Sequence, residues 1–292
     1  MSRRLAPRRM RGVALIQALL IVAAISAVAV ALLVRVDRAQ ERLQWRATSE
    51  QAALYLASGV EFLRSSLPRE TVHEGQDWAR ARPPLDIDRG TLGWQVRDLQ
   101  GRFNLSLLQE DEGDVYAAAF TRLAEEAGLS GEATTAIIGR VAGIDGPLPL
   151  ILPDLLPDLM AADLDDADLE AWETLRPQIA AWAGLPMNVN TMPRAVLDAL
   201  LPEIPADQRR MIHQRVRDEP VEELDDLVNW AVAQLGEAAA QQLMLLPLAG
   251  QSRLFAADLE ARLDSVTLRR SVVIDTGAPE GDSAVRLSLP GP

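Results

Sequence analysis

The chain has 292 residues, 48% of them hydrophobic, and no cysteine, which excludes a disulfide framework and a thiolate metal site. Its formal charge is −13 and every basic side chain is an arginine. So acidic a chain is repelled by nucleic acid and by anionic lipid surfaces.

The first twelve residues, MSRRLAPRRMRG, hold five arginines and no acid; the rest of the chain carries 24 basic against 42 acidic residues, a net of −18. Residues 13–34 follow without a spacer and are uncharged throughout. At about 1.5 Å per residue, such a helix covers the roughly 30 Å of a bilayer's hydrocarbon core. It has no polar face, which argues against a buried core helix. Arginines before it and mixed charge after it (Arg35, Asp37, Arg38) place the leader in the cytoplasm and the remainder outside. A secretory signal has its small residues beyond an apolar core of roughly 7–15 residues. Here Gly12 stands before the apolar run, and cleavage between Gly12 and Val13 would leave the helix on the mature protein. This layout resembles that of type IV prepilins and the pseudopilins of type II secretion; a plain signal anchor is the other reading. The resemblance implies methylation of Val13 after cleavage.

Counted from Val13, Gln17 is the fifth residue. Most pilins and pseudopilins carry Glu at this place, where its carboxylate can meet the amino terminus of a neighbouring subunit. The pseudopilin class that usually lacks it is the K component, thought to sit at the tip. Gln17 keeps the size and hydrogen-bonding capacity and loses the charge, so the resemblance gives it an assembly role.

From Arg35 to about Leu67, Leu43, Ala47, Ala52, Leu54, Leu56, Val60, Leu63 and Leu67 recur at helical intervals, and Pro68 ends the pattern. One long helix is expected, its second half amphipathic and in need of a sheet. Residues 90–108, GTLGWQVRDLQGRFNLSLL, read as a hairpin turning at Gln100-Gly101. Residues 252–262 and 265–275 supply further alternating segments, and the tail TGAPEGDSAVRLSLPGP reads either as flexible chain or, through AVRLSL, as a last strand.

Between these β segments, Asp114 to Leu246 reads as a series of helices, each stopped by Gly or Pro. A helical block interrupting a small sheet is an insertion. The arrangement resembles the general secretion pathway protein K family, minor pseudopilins of type II secretion, anchored on the leader, VRDLQGRFNL and NVNTMPRAVLDAL. The expected fold is α+β: a long N-terminal helix on a small antiparallel sheet, with a large all-α insert of sterile-alpha-like or helix-hairpin-helix-like units. Expected boundaries are a cleaved leader at 1–12, a span at 13–34, a pilin-like domain at 35–110 and 247–292, and the insert at 111–246.

In MNVNTMPRAVLDALL (187–201), Asn190 or Thr191 is placed to cap a helix whose first turn contains Pro193. A helix-hairpin-helix DNA-binding unit has similar spacing. It offers phosphate the backbone amides of a glycine-containing turn. Here the turn is Pro202-Glu203-Ile204-Pro205, with no glycine and two amides missing. Acids outnumber the local patch Arg209, Arg210, Arg215 and Arg217, so counterion release works against strong repulsion. No nucleic acid is expected.

Two acidic runs, Glu110, Asp111, Glu112, Asp114 and Asp163, Asp165, Asp166, Asp168, Glu170, lack the twelve-residue calcium loop of an EF-hand. Some K-family members are thought to bind calcium through an acidic loop of the insert; here that stretch is cut to Gly143-Ile144-Asp145-Gly146-Pro147. Calcium therefore has no assigned ligands, and solvation and helix N-termini account for most of these acids. No nucleophile elbow, Walker loop or H-E-x-x-H is present, and His73 and His213 read as solvent-facing. No enzyme and no cofactor are expected.

The resemblance implies a single-pass protein of the Gram-negative inner membrane with its C-terminal domain in the periplasm, initiating and capping the pseudopilus. Its partners would be the other minor pseudopilins, the prepilin peptidase, the exported substrate and the outer-membrane secretin. A minor pilin of a type IV pilus and a membrane-anchored DNA-binding protein are the alternatives.

Overall fold

The computed structural model describes residues 10–110, 113–150, 152–160, 164–277 and 285–290. Helix α1 (Met10–Ser66) is continuous over 57 residues, about 85 Å at 1.5 Å per residue. It starts among small and aliphatic helix formers and stops just before Pro68, whose ring and missing N–H cannot continue it. The first half is bare. The packed stripe of the second half is Thr48, Ala52, Leu56, Val60, Leu63 and Leu67, all buried. Leu43, Ala47 and Leu54, expected in that stripe, are exposed instead.

Five strands, β1 (Leu85–Ile87), β2 (Gly90–Asp98), β7 (Leu254–Leu263), β8 (Val266–Asp275) and β9 (Val285–Pro290), form an antiparallel sheet in that order among the described residues. Register follows the period-2 pattern: Val96, Ala257 and Val272 are cross-strand partners facing α1, and Arg97, Ala256 and Val273 face the other way. Two tight turns place Arg89 (φ 65°) and Asp264 (φ 48°) side by side, where they form an ion pair. Against the first face, Leu56, Val60 and Leu63 meet Leu92, Phe255 and Leu259. Each such fully buried large side chain contributes about 2 kcal/mol. Gly59 lets the helix lie close, since a Cβ there would stand 2.9 Å from the Leu259 side chain.

Between β2 and β7 the chain builds the helical block. In chain order come β3 (Phe103–Asn104), α2 (Gly113–Ala127), α3 (Gly131–Ala142), α4 (Leu152–Leu159), α5 (Asp166–Leu175), β4 (Ile179–Ala180), β5 (Met187–Asn188), α6 (Arg194–Leu200), α7 (Ala206–Asp218), α8 (Leu224–Leu235), α9 (Glu237–Met244) and β6 (Leu248–Ala249). Its own core includes Phe103, Phe120, Ile137, Trp172 and Leu197, and it extends to Leu254 and Val273 on the sheet's second face. The sheet is thus covered by α1 on one side and, at one end of the other, by the insert.

The expected hairpin at residues 90–108 is not formed. After Asp98 the chain turns away, and β3 pairs in parallel with β4 rather than with β2. The side chain of Gln100, expected in the hairpin's turn, is buried: its amide donates to the Pro186 carbonyl (2.8 Å) and its oxygen accepts from the Arg253 and Leu254 amides. Within the expected helical series, α5 ends at Leu175. Pro177 supplies no amide, and the chain continues as a single 3₁₀ turn into β4.

Candidate assembly site and the junction beneath it

From Leu15 onward α1 contains a stretch long and apolar enough to cross a membrane, with mean hydropathy 2.7 in its best window and no part of that window buried. Gln17 lies exposed on it. Gly12 and Val13 belong to the first turns of α1, their side chains outside the described residues, as are residues 1–9 altogether.

Past the apolar stretch, Val36, Leu43, Ala47 and Leu54 are spaced by seven, four and seven residues. At 3.6 residues per turn they share one side of α1, turned away from Ala52, Leu56 and Leu63. Leu43 is 63% exposed and Leu54 65%. Their seven- and four-residue spacing falls on the heptad positions by which one helix seats in the groove of another, with Gln40 and Glu50 at the intervening places. The sequence showed these positions; it did not show that the sheet would take the opposite face.

What holds the insert to the sheet is a closed polar cluster. Asp98 Oδ2 accepts from Ser252 Oγ (2.6 Å), Thr191 Oγ1 (2.6 Å) and Asn188 Nδ2 (2.9 Å), and Oδ1 accepts from the Gln100 amide (2.8 Å). Burial pushes the Asp98 carboxyl up from its ordinary range, while these four donors pull it back. Asn188 also donates to the Val72 carbonyl (3.0 Å), tying the loop after α1 into the same cluster. Asn190 continues it: Nδ2 donates to the Val221 and Gly250 carbonyls, and Oδ1 accepts from the Val221 amide. Asn190 and Thr191 therefore do not cap α6. Pro193 occupies the N-cap position with no side-chain bond, because the polar side chains expected there are engaged in the junction. A Cβ on Gly101 would run into Thr191, so the turn closes only with glycine.

The helix-hairpin-helix arginines are mostly spent inside the fold. Arg209 donates to the Ile204 carbonyl (2.6 Å), the Leu201 carbonyl (3.2 Å) and Asp198 (2.9 Å), closing the turn between α6 and α7. Arg215 bonds Glu219 and Arg217 reaches Glu74, leaving Arg210 exposed. The acids are likewise used locally. Asp165 caps α5, and Asp168, expected on the surface, is buried and accepts from the Ser130 amide and hydroxyl. Asp111, Glu112 and Asp163 lie outside the described residues. No group of three or more His, Asp or Glu side chains is arranged to hold a metal ion among the described residues. His213, expected in solvent, is half-buried; burial, Arg217 and Arg194 hold its pKa below the ordinary value. His73 is half-buried too.

No protein-family model matches the chain, and no curated protein matches its sequence. A solved structure does. The chain is similar to one in the crystal structure of the GspK-GspI-GspJ complex from the enterotoxigenic Escherichia coli type 2 secretion system, with a TM-score of 0.65 and 18% identity, over 86% of this chain and 99% of that one. At that identity the likeness is one of fold: a long N-terminal helix, an antiparallel sheet and a helical region in a pseudopilin-like arrangement.

Proposed function

We propose that this chain is a minor pseudopilin of the K type, working at the tip of a type II secretion pseudopilus. The observation that carries this reading is the fold likeness to a chain of the GspK-GspI-GspJ complex, which runs through nearly the whole of that chain. The expected division supports it: a leader at 1–12, a span at 13–34, a pilin-like domain at 35–110 and 247–292, and the insert at 111–246. The chain would insert with its N-terminus inside, be cut after Gly12 by a prepilin peptidase and be methylated on Val13, leaving its folded part in the periplasm. Its partners would then be the other minor pseudopilins, reached through the exposed side of α1.

Gln17 supports the place at the tip. A subunit in mid-filament would offer a carboxylate at this depth to the amino terminus of the subunit above, and in the membrane such a charge needs a partner. An uncharged glutamine has no such requirement. The bulk of the insert is also in keeping with an end position. Function there is mechanical, through helix packing and shape; export cargo and secretin would meet the insert.

The test is the N-terminal residue and intact mass of the protein from its host, for the wild type and Gly12→Trp. The expected result is a chain starting at N-methylated Val13 and an uncut variant. Retention of Met1 on the wild type, or cleavage beyond Val34, would overturn the reading.

A further inference from the structure

A cleft of about 450 Å3 lies where the insert lifts away from the second face of the sheet. Arg97, Ala256, Asp258 and Val273 line it from the strands, and Asp154 and Arg176 face them from the insert. Arg97 is paired with Asp258, and Arg176 with Asp154 at 2.8 Å. A third arginine, Arg102, also lines the cleft and is different. It is half-buried, yet among the described residues its guanidinium has no carboxylate or carbonyl within hydrogen-bonding distance. Asp98 is near enough to attract it, but the oxygens of Asp98 are occupied by four other donors. Burial and the neighbouring Arg97 pull the Arg102 pKa down to about 10, so it is still charged at neutral pH.

We propose that Arg102 anchors a binding site for a polypeptide carboxylate, an acidic side chain or chain terminus with an apolar neighbour. A guanidinium presents five donors in a planar fork that matches a carboxylate, and one held partly out of water with no acceptor gains most from such a partner. Three acids and three arginines stand in the walls, and with Arg97 and Arg176 taken by Asp258 and Asp154 the lining offers one free guanidinium among the described residues, which matches a single carboxylate better than a doubly charged phosphate. Leu99, Leu150 and Ile179 give the apolar flank that a side chain next to the carboxylate would cover. The site needs no helix-seam contact and stands whether or not the chain is a pseudopilin.

The experiment is calorimetric titration of the full chain in detergent with acetyl-Leu-Asp-Leu-amide, its Leu-Asn-Leu counterpart and inorganic phosphate. The aspartyl peptide should bind at least tenfold more tightly than the asparaginyl one, and phosphate should not displace it at equal concentration. Arg102→Gln should abolish the preference and Arg102→Lys should keep part of it. Equal binding of the two peptides, no binding, displacement by phosphate, or a preference surviving in Arg102→Gln each overturns the proposal. Should Arg102→Gln fail to fold, Ala256→Leu decides: it fills the floor and spares the guanidinium, and an undiminished preference there overturns the site.

Discussion

Asn188 and Asp98, ninety residues apart, share a buried hydrogen bond of 2.9 Å, and through it the insert is fastened to the last residue of β2. Every polar atom around this bond has a partner, which makes the cluster rigid and makes each member costly to remove.

Replacing Asn188 by Ala withdraws donors from Asp98, Val72 and Ser252 at once and leaves a buried carboxylate short of a partner. The expected cost is about 3 kcal/mol. Urea unfolding of the detergent-solubilised chain measures it; a loss under a quarter of that would show that the junction carries little of the stability.

Asp98 gives a pH signature. Burial raises its pKa in the folded chain above the unfolded value, so its contribution to stability is fully present below about pH 4 and is lost as pH rises through the folded value. The stability difference between wild type and Asp98→Asn should therefore fall steadily from acid to neutral pH. A difference that grows with pH would mean that the four donors outweigh burial.

Leu43 and Leu54 face away from the sheet, so Leu43→Asp with Leu54→Asp should change the stability of the isolated chain by no more than about 0.5 kcal/mol each. On the proposed reading as a minor pseudopilin, the pair should abolish co-purification with the partner subunits from membranes. Undiminished co-purification removes the seam from the assembly.

Arg209 and Arg210 are neighbours in sequence with opposite fates. Arg209→Ala breaks three bonds that close the α6–α7 turn and should cost about 2 kcal/mol. Arg210→Ala should cost under about 0.5 kcal/mol. Thermal unfolding separates them; equal effects would contradict the capping geometry, and a duplex-DNA titration of either should show no salt-sensitive binding.

The long helix, the β7–β8 hairpin and most insert helices were legible, because they rest on local periodicity and on Gly and Pro stops. What was not legible depends on contacts across the chain. Gln100-Gly101 has a good turn pair, yet the Gln100 side chain bonds backbone groups 86 and 153 residues away. Asn190 has the spacing of a cap and instead serves Val221 and Gly250. α4, LPDLLPDL, was obscured by Pro157 inside it. Leu43 and Leu54 matched the helical period as well as Leu56 did; only the docked sheet decides which side is dry. Arg102 lies in VRDLQGRFNL, but nothing in that motif shows it left without an acceptor, since its isolation follows from its neighbours choosing other partners.

β2 and β7 are adjacent strands in register over nine residue pairs, from Gly90↔Leu263 to Asp98↔Phe255. The two roots of the insert therefore leave the sheet side by side, about 5 Å apart. A pull applied along α1 and taken up by the sheet would pass through that ladder, and an insert rooted in two neighbouring strands would lie to one side of it.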